Sequence, residues 1–158
     1  MQQLSAIDTL FVSGESENMP MHIGALSIYQ SQTRQYFSRV TTVFEQRLGH
    51  SAIFRRKLVE PPFKLDNPYW LDDPDFALGQ HLRRVTLEAG RGEEGLNELV
   101  ADLHARGLDM GKPLWEAWII DGMEKSGWPK RTYGVYVKVH HAAIDGVSGA
   151  EIIAALND

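Results

Sequence analysis

Two segments of the chain carry apolar residues at the period of an amphipathic helix. In residues 36–48 the apolar positions are mostly three or four residues apart, and a similar spacing recurs in residues 92–108. Such spacing places apolar side chains on one face, so both segments are predicted to be helices that pack on a core. Gly107 is expected to help end the second helix. The apolar positions are Tyr36, Val40, Val43, Phe44 and Leu48, and then Leu96, Leu99, Val100, Leu103 and Leu108.

Four other segments have the length and the β-branched and aromatic content of strands. They are residues 22–29, 81–87, 114–121 and 132–141. The last two are separated by a turn-rich stretch and are expected to form a hairpin. Strands and helices that alternate in this way predict an α/β fold, a mixed β-sheet with flanking helices, in one domain.

The remaining segments predict shorter features. Ser5, with Asp8 three residues later, is typical of the N-cap of a short helix leading into residues 10–12. Residues 51–74 contain four prolines, which block long elements, so this stretch is predicted to be a long surface connection. Within it, residues 69–71 are expected to add a short extended piece.

The segment from Thr132 onward is the most informative part of the chain. Because side chains alternate along a strand, His141 is predicted to share one face with the valines of this segment and His140 to lie on the other. Ser148 and Glu151 then have the spacing of an N-cap and its capping-box partner. His141 is thus predicted at the carboxyl end of a strand, beside a helix N-terminus, where open α/β sheets form ligand crevices.

Composition excludes several classes of protein. The absence of cysteine excludes disulfides and thiolate chemistry, and the net charge of −5 gives no broad attraction for nucleic acid. No apolar run approaches the roughly 20 residues of a membrane-spanning helix, and the first eight residues lack the pattern of a signal peptide. We therefore interpret the chain as intracellular and soluble.

His141 is a candidate general base. A neutral imidazole is able to take a proton from a hydroxyl at pH 7 and return it to a leaving group, which contributes roughly 10²–10⁴ in rate. Asp145 either orients His141 or binds a cation that holds the turn rigid, and the residues alone leave both roles open. The alternative is that the two histidines merely end a strand, which is the commoner situation for an arbitrary pair.

Three motifs, in order along the chain, resemble those of one enzyme family. Residues 140–146, HHAAIDG, resemble the HHxxxDG signature of the coenzyme A-dependent acyltransferase superfamily, which is shared with peptide-synthetase condensation domains and, as HxxxDG, with chloramphenicol acetyltransferase. Residues 113–115, PLW, and residues 20–24, PMHIG, resemble motifs of its wax ester synthase/diacylglycerol acyltransferase branch. The chain is similar to the N-terminal part of that branch.

The resemblance implies roles for the residues of the motif. It implies that His141 is the general base and that His140 supports the site from the opposite face of the strand. Asp145 is then a structural residue that salt-bridges an arginine, which the sequence does not identify, rather than a member of a triad. Gly146 is expected to permit the tight backbone of the turn.

The resemblance also implies an activity and an architecture. Acyl-CoA is the expected co-substrate, the acceptor is a long-chain alcohol or diacylglycerol, and no permanently bound cofactor is expected. Family members have two chloramphenicol acetyltransferase-like domains with the active site between them. We expect residues 1–158 to be the first of these, with the C-terminal domain absent from this chain and needed as a partner. The expected location is the cytoplasm, free or in contact with the inner face of the membrane or with lipid inclusions.

Two alternative functions share the fold that the motif implies. The first is a condensation-type acyltransferase that takes its thioester from a carrier protein, against which the PMHIG and PLW segments argue. The second is a non-catalytic lipid-binding relative, against which the intact His141 and Asp145 argue.

Other residues carry weaker signals. Pro113, Leu114 and Trp115 are candidates to line an acyl channel, although we favour packing in a core strand. The basic runs at residues 55–57 and 83–84 are candidates for CoA phosphates or lipid headgroups, but short charge runs are usually solvated faces. Four histidines lack a spacing that gathers metal ligands, so no metal is predicted. These are His22, His50, His81 and His104.

Overall fold

The computed structural model describes residues 1–49 and 51–144. This part of the chain forms three α-helices and seven strands. In chain order they are β1 (Gln2–Gln3), α1 (Ala6–Gly14), β2 (His22–Gln30), α2 (Tyr36–Leu48), β3 (Arg56–Val59), β4 (Tyr69–Asp72), β5 (Leu82–Thr86), α3 (Gly92–Ala105), β6 (Trp115–Asp121) and β7 (Thr132–His140).

The main sheet has four strands in the order β2-β7-β6-β5. Neighbouring strands in this sheet are antiparallel except for β5 and β6, which are parallel. The mixed sheet and the β6–β7 hairpin are therefore as the sequence predicts. β7 ends at His140, one residue earlier than predicted, and His141 begins a 3₁₀ turn.

Helices cover both faces of the main sheet. α2 has the predicted bounds and buries its stripe of Val40, Phe44 and Leu48 against the face that carries Val135 and Val137. α3 covers the opposite face, where Leu96 and Leu103 pack with Trp118 and Tyr136. The alternation along β7 thus divides its side chains between two hydrophobic clusters.

α3 is shorter than its apolar spacing predicts, because it ends at Ala105 rather than at residue 108. The ammonium group of Lys138, fully buried on β7, donates hydrogen bonds to the carbonyl oxygens of Leu103 at 2.9 Å and of Arg106 at 2.6 Å. Helix-end carbonyls lack intrahelical partners, so a cation there both satisfies them and interacts favourably with the helix dipole.

The prediction of a surface connection over residues 51–74 is wrong in part. β3 and β4 pair with each other, and β1 adds to β4, so a second antiparallel sheet has the order β1-β4-β3. Trp70 on β4 is buried in the core. The prolines that argued against long elements lie outside both strands, and the short basic segment of β3 gave no apolar pattern to read.

α1 begins as predicted and continues further. The Ser5 hydroxyl accepts a hydrogen bond from the backbone N–H of Asp8 at 3.1 Å, which is the expected N-cap contact. The helix then runs through residues 10–12 to Gly14, and none of its side chains is fully buried. Within residues 1–49 and 51–144, every helix is too short or too polar to span a bilayer.

Candidate active site

His141 follows directly on the end of β7 and is held there through its backbone. Its N–H donates a hydrogen bond to the carbonyl oxygen of Met21 at 2.8 Å. Met21 is the residue before β2, within the PMHIG segment, so this segment and the histidine pair meet at one end of the main sheet. The PMHIG segment and the histidine pair, both singled out by the sequence, are therefore in direct contact.

The half-buried side chain of His141 contributes to the wall of a cleft of about 790 Å³. Phe11 of α1 lines the same cleft, and its ring stacks on the imidazole with centroids 4.8 Å apart and planes inclined by 14°. Arg56 and Trp70 from the small sheet contribute further wall. An imidazole in such a cleft is accessible to a substrate hydroxyl, which general-base chemistry requires.

His140 is fully buried and faces away from this cleft, as strand alternation predicts. Its Nδ1 accepts a hydrogen bond from the backbone N–H of Ala142 at 3.0 Å, so the proton of the neutral ring lies on Nε2. That Nε2 is 3.3 Å from the carboxylate of Glu15, an ion-pair distance that lacks the geometry of a hydrogen bond. His140 thus holds the turn in which His141 lies.

The environment of His140 favours its neutral form. Burial lowers the pKa of His140 below its usual value, and the Glu15 carboxylate opposes this lowering. The same carboxylate accepts a hydrogen bond from the backbone N–H of Met21. Glu15 therefore joins the end of α1 to both strands that carry the site, a role that its position in the sequence did not signal.

A row of buried polar groups continues from His140 across the sheet toward α3. His22 lies opposite His140 on β2, and its Nε2 is 2.7 Å from the carbonyl oxygen of His104. Nδ1 of His104 is 2.6 Å from the hydroxyl of Tyr136. Burial lowers the pKa of His22 and raises the pKa of Tyr136 to about 12. His22 and Tyr136 are therefore neutral at pH 7 and serve packing and hydrogen bonding.

Gly24 of the PMHIG segment has a packing role that the sequence did not reveal. A Cβ atom at this position would lie 2.2 Å from the hydroxyl oxygen of Tyr136 and 2.8 Å from two of its ring carbons. No unstrained contact is that short, so only glycine allows the Tyr136 side chain to lie across β2.

The PLW segment lies beneath the cleft. The side chains of Leu114 and Trp115 are buried in the same hydrophobic cluster as Ala142 and Ala143. The indole N–H of Trp115 donates to the carbonyl oxygen of Phe54 at 2.9 Å. Pro113 is also buried, and the carbonyl of Leu114 accepts from the backbone N–H of His140 at 3.0 Å. These contacts are those of packing residues that support the site.

Several predicted features lie outside the described residues. They are Asp145, Gly146, the helix expected after Ser148, and His50. In residues 1–49 and 51–144, no three histidine, aspartate or glutamate side chains are grouped so that they could hold a metal ion.

A family model for the wax ester synthase/diacylglycerol acyltransferase catalytic domain matches residues 4–158. The chain belongs to this family. The resemblance drawn from the three motifs is therefore confirmed.

Two mycobacterial relatives illustrate the match. The probable diacylglycerol O-acyltransferase tgs1 of Mycobacterium tuberculosis H37Rv is 36% identical over 160 residues, covering 100% of this chain and 33% of the relative. The probable diacylglycerol O-acyltransferase tgs3 of the same strain is 38% identical over 152 residues, covering 95% of this chain and 54% of the relative. The chain thus spans between a third and about half the length of these relatives.

Solved structures confirm the fold of this family member. The wax ester synthase/diacylglycerol acyltransferase from Marinobacter aquaeolei VT8 matches with a TM-score of 0.79 and 27% identity, over 96% of this chain and 37% of that one. The starter condensation domain of rhizomide synthetase matches with a TM-score of 0.71 over 98% of this chain and 36% of that one. Its identity is only 12%, so it shows the chloramphenicol acetyltransferase-like fold alone.

Proposed function

We propose that this chain is the N-terminal domain of an acyl-CoA-dependent O-acyltransferase in which His141 is the general base. The acceptor is a long-chain alcohol or diacylglycerol, and the product is a wax ester or triacylglycerol. The observation that carries the proposal is that His141 borders a cleft, whereas its sequence neighbour His140 is fully buried. Membership of the wax ester synthase/diacylglycerol acyltransferase family supports the choice of substrates.

The reaction needs one proton carrier and no covalent enzyme intermediate. His141 removes the proton of the acceptor hydroxyl as its oxygen attacks the carbonyl carbon of the thioester. The tetrahedral oxyanion then collapses, the carbon–sulfur bond breaks, and the CoA thiolate takes the proton from the imidazolium. The net products are an ester and free CoA. Hydrogen-bond donors aimed at the oxyanion would supply a large part of the rate.

His140 is unsuited to that task. Both of its nitrogens face groups of the protein, since Nδ1 accepts from Ala142 and Nε2 faces Glu15. Burial keeps the ring neutral and away from the cleft. In our proposal it supports the turn, together with Asp145 and Gly146, whose roles rest on the motif alone.

Two features favour this activity over the alternatives. The two mycobacterial relatives, 36% and 38% identical, are named as probable diacylglycerol O-acyltransferases, whereas the starter condensation domain is alike only in fold. The histidine pair of the motif is intact, which argues against a silent lipid-binding relative.

A second domain completes the site in our proposal. The relatives are two to three times as long as this chain, and the cleft beside His141 needs a second wall to exclude water and orient both substrates. Such positioning contributes roughly 7–11 kcal/mol to lowering a barrier. We propose the C-terminal domain of the same protein as that wall. We place the enzyme in the cytoplasm, at the inner face of the membrane or at lipid inclusions, where acyl-CoA and apolar acceptors meet.

The assignment of the base is tested by His141→Ala in the full-length protein. Release of free CoA from acyl-CoA plus hexadecanol or diacylglycerol is expected to fall by about 10²–10⁴-fold with an unchanged melting temperature, because the side chain moves a proton rather than packs. His140→Ala is the matched variant, and it is expected to lose less activity and more stability. Near-normal turnover by His141→Ala would overturn the assignment.

The need for a second domain is tested separately. Purified residues 1–158 are expected to form no ester from labelled acyl-CoA and hexadecanol, and to associate through exposed apolar surface. Mixing with the separately produced remainder of the protein is expected to restore synthesis. Robust synthesis by residues 1–158 alone would refute the requirement.

A further inference from the structure

α1 carries two side chains that face the two motif histidines. Phe11 lies within the helix, and Glu15 is the residue that follows its last turn. Phe11 stacks on the imidazole of His141, and the carboxylate of Glu15 lies 3.3 Å from Nε2 of His140. The helix therefore meets both members of the pair, although more than 120 positions separate them in the sequence.

The contacts at its two ends hold α1 in place. None of its side chains is fully buried, although Phe11 and Val12 are partly buried against the main hydrophobic cluster. Ser5 caps its first turn, and Glu15 at its C-terminal end accepts from the N–H of Met21. Met21 in turn accepts from the N–H of His141 through its carbonyl oxygen. Hydrogen bonds thus connect the end of α1 to the start of β2 and to His141. These connections set the position of the Phe11 ring.

We propose that Phe11 is a positioning residue for the general base, an inference that rests on the proposed function. The near-parallel stack covers one face of the imidazole and opposes rotation of its ring about the Cβ–Cγ bond. Offset stacking is a favoured geometry for aromatic rings at this separation. The proposed consequence is that the acceptor hydroxyl meets the nitrogen edge of the ring rather than its covered face.

The inference predicts a defect in turnover rather than in substrate binding. Misplacement of a reacting group by about 1 Å costs on the order of 10²-fold in rate. In the full-length protein, Phe11→Leu, which keeps an apolar side chain but loses the ring, is expected to lower kcat about tenfold to a hundredfold. The KM for acyl-CoA is expected to change less than about threefold, since positioning acts on the chemical step.

Two matched variants separate positioning from structure. Phe11→Tyr keeps the stacking ring and is expected to retain most of kcat. Leu10→Ala changes the neighbouring residue, which is 71% exposed and does not line the cleft, and is expected to behave as the unaltered enzyme. If thermal melting shows that Phe11→Leu is not folded, Phe11→Met, also without a ring, takes its place.

The outcomes distinguish this inference from the proposed function. An inactive His141→Ala variant together with unaltered kcat in Phe11→Leu would overturn the positioning role and leave the base assignment intact. A loss confined to KM, or an equal loss of kcat in Phe11→Tyr, would also overturn it. Normal turnover by His141→Ala would instead remove the proposed function on which the inference rests.

Discussion

Replacing Gly24 with alanine is expected to destabilise the end of the sheet that carries the histidine pair. The added Cβ would lie 2.2 Å from the hydroxyl oxygen of Tyr136, so one of the two groups has to move by about 1 Å to reach ordinary contact. Tyr136 has little room to move, because its ring stacks on Trp118 at 5.7 Å and its hydroxyl is 2.6 Å from Nδ1 of His104.

The expected cost combines overpacking with a lost hydrogen bond. Inserting a methyl group into a packed region costs about 1–3 kcal/mol, and losing the contact between Tyr136 and His104 adds about 1 kcal/mol. We therefore expect a loss of about 2–4 kcal/mol in the free energy of local opening. Hydrogen exchange of the amides in the β2–β7 ladder would then accelerate from about thirty-fold to several hundred-fold, since 1.4 kcal/mol is tenfold.

The assay is hydrogen exchange by mass spectrometry on the full-length protein, read on peptides from residues 20–30 and 132–140. Gly79→Ala is the matched control, because a Cβ there meets nothing within 4 Å and no change in exchange is expected. Adding Tyr136→Phe to Gly24→Ala removes the closest oxygen, so the double variant should be less destabilised than additivity predicts. Unchanged protection in Gly24→Ala would refute the steric reasoning.

Three further predictions concern stability. Lys138→Met removes the donor to the carbonyl oxygens of Leu103 and Arg106, so the free energy of unfolding should fall by about 2–4 kcal/mol, because a buried acceptor left unsatisfied costs about 1–3 kcal/mol. The exposed Lys125→Met should be near neutral in the same urea titration. Asp145→Asn is expected to lower the melting temperature together with activity, whereas normal melting with only a shifted pH–rate profile would favour a triad-like role. Acidification should destabilise the protein. Burial lowers the pKa of three histidines below the value of 6.5 that they have in the unfolded chain, so the unfolded state binds protons more readily than the folded state as the pH falls. The contribution of these histidines to stability is thus fully present above pH 6.5 and is lost as the pH falls below it. A melting temperature that stays constant from pH 7.5 to 5 would contradict this prediction. The three are His22, His81 and His140.

Local pattern determined the main elements of this protein. The spacing of apolar residues in α2 predicted its bounds of Tyr36–Leu48, because a helix buried on one side must repeat its apolar residues at the helical period. Strand alternation likewise predicted that His141 and His140 are separated, although β7 ends at His140 and His141 lies in the turn that follows. The HHAAIDG, PLW and PMHIG segments then identified the family without any coordinates.

Only the tertiary structure decided how distant segments complete the site. The stacking of Phe11 on His141 and the approach of Glu15 to His140 join residues from opposite ends of the chain, and neither leaves a periodic signal. The small sheet was missed for the same reason, since β1 and β3 are short and their pairing with β4 depends on the strands they meet. The burial of Lys138 depends on the carbonyl oxygens at the end of α3, which the sequence alone did not indicate. Periodicity reports which face of an element is buried, whereas the identity of the covering partner is set by long-range packing.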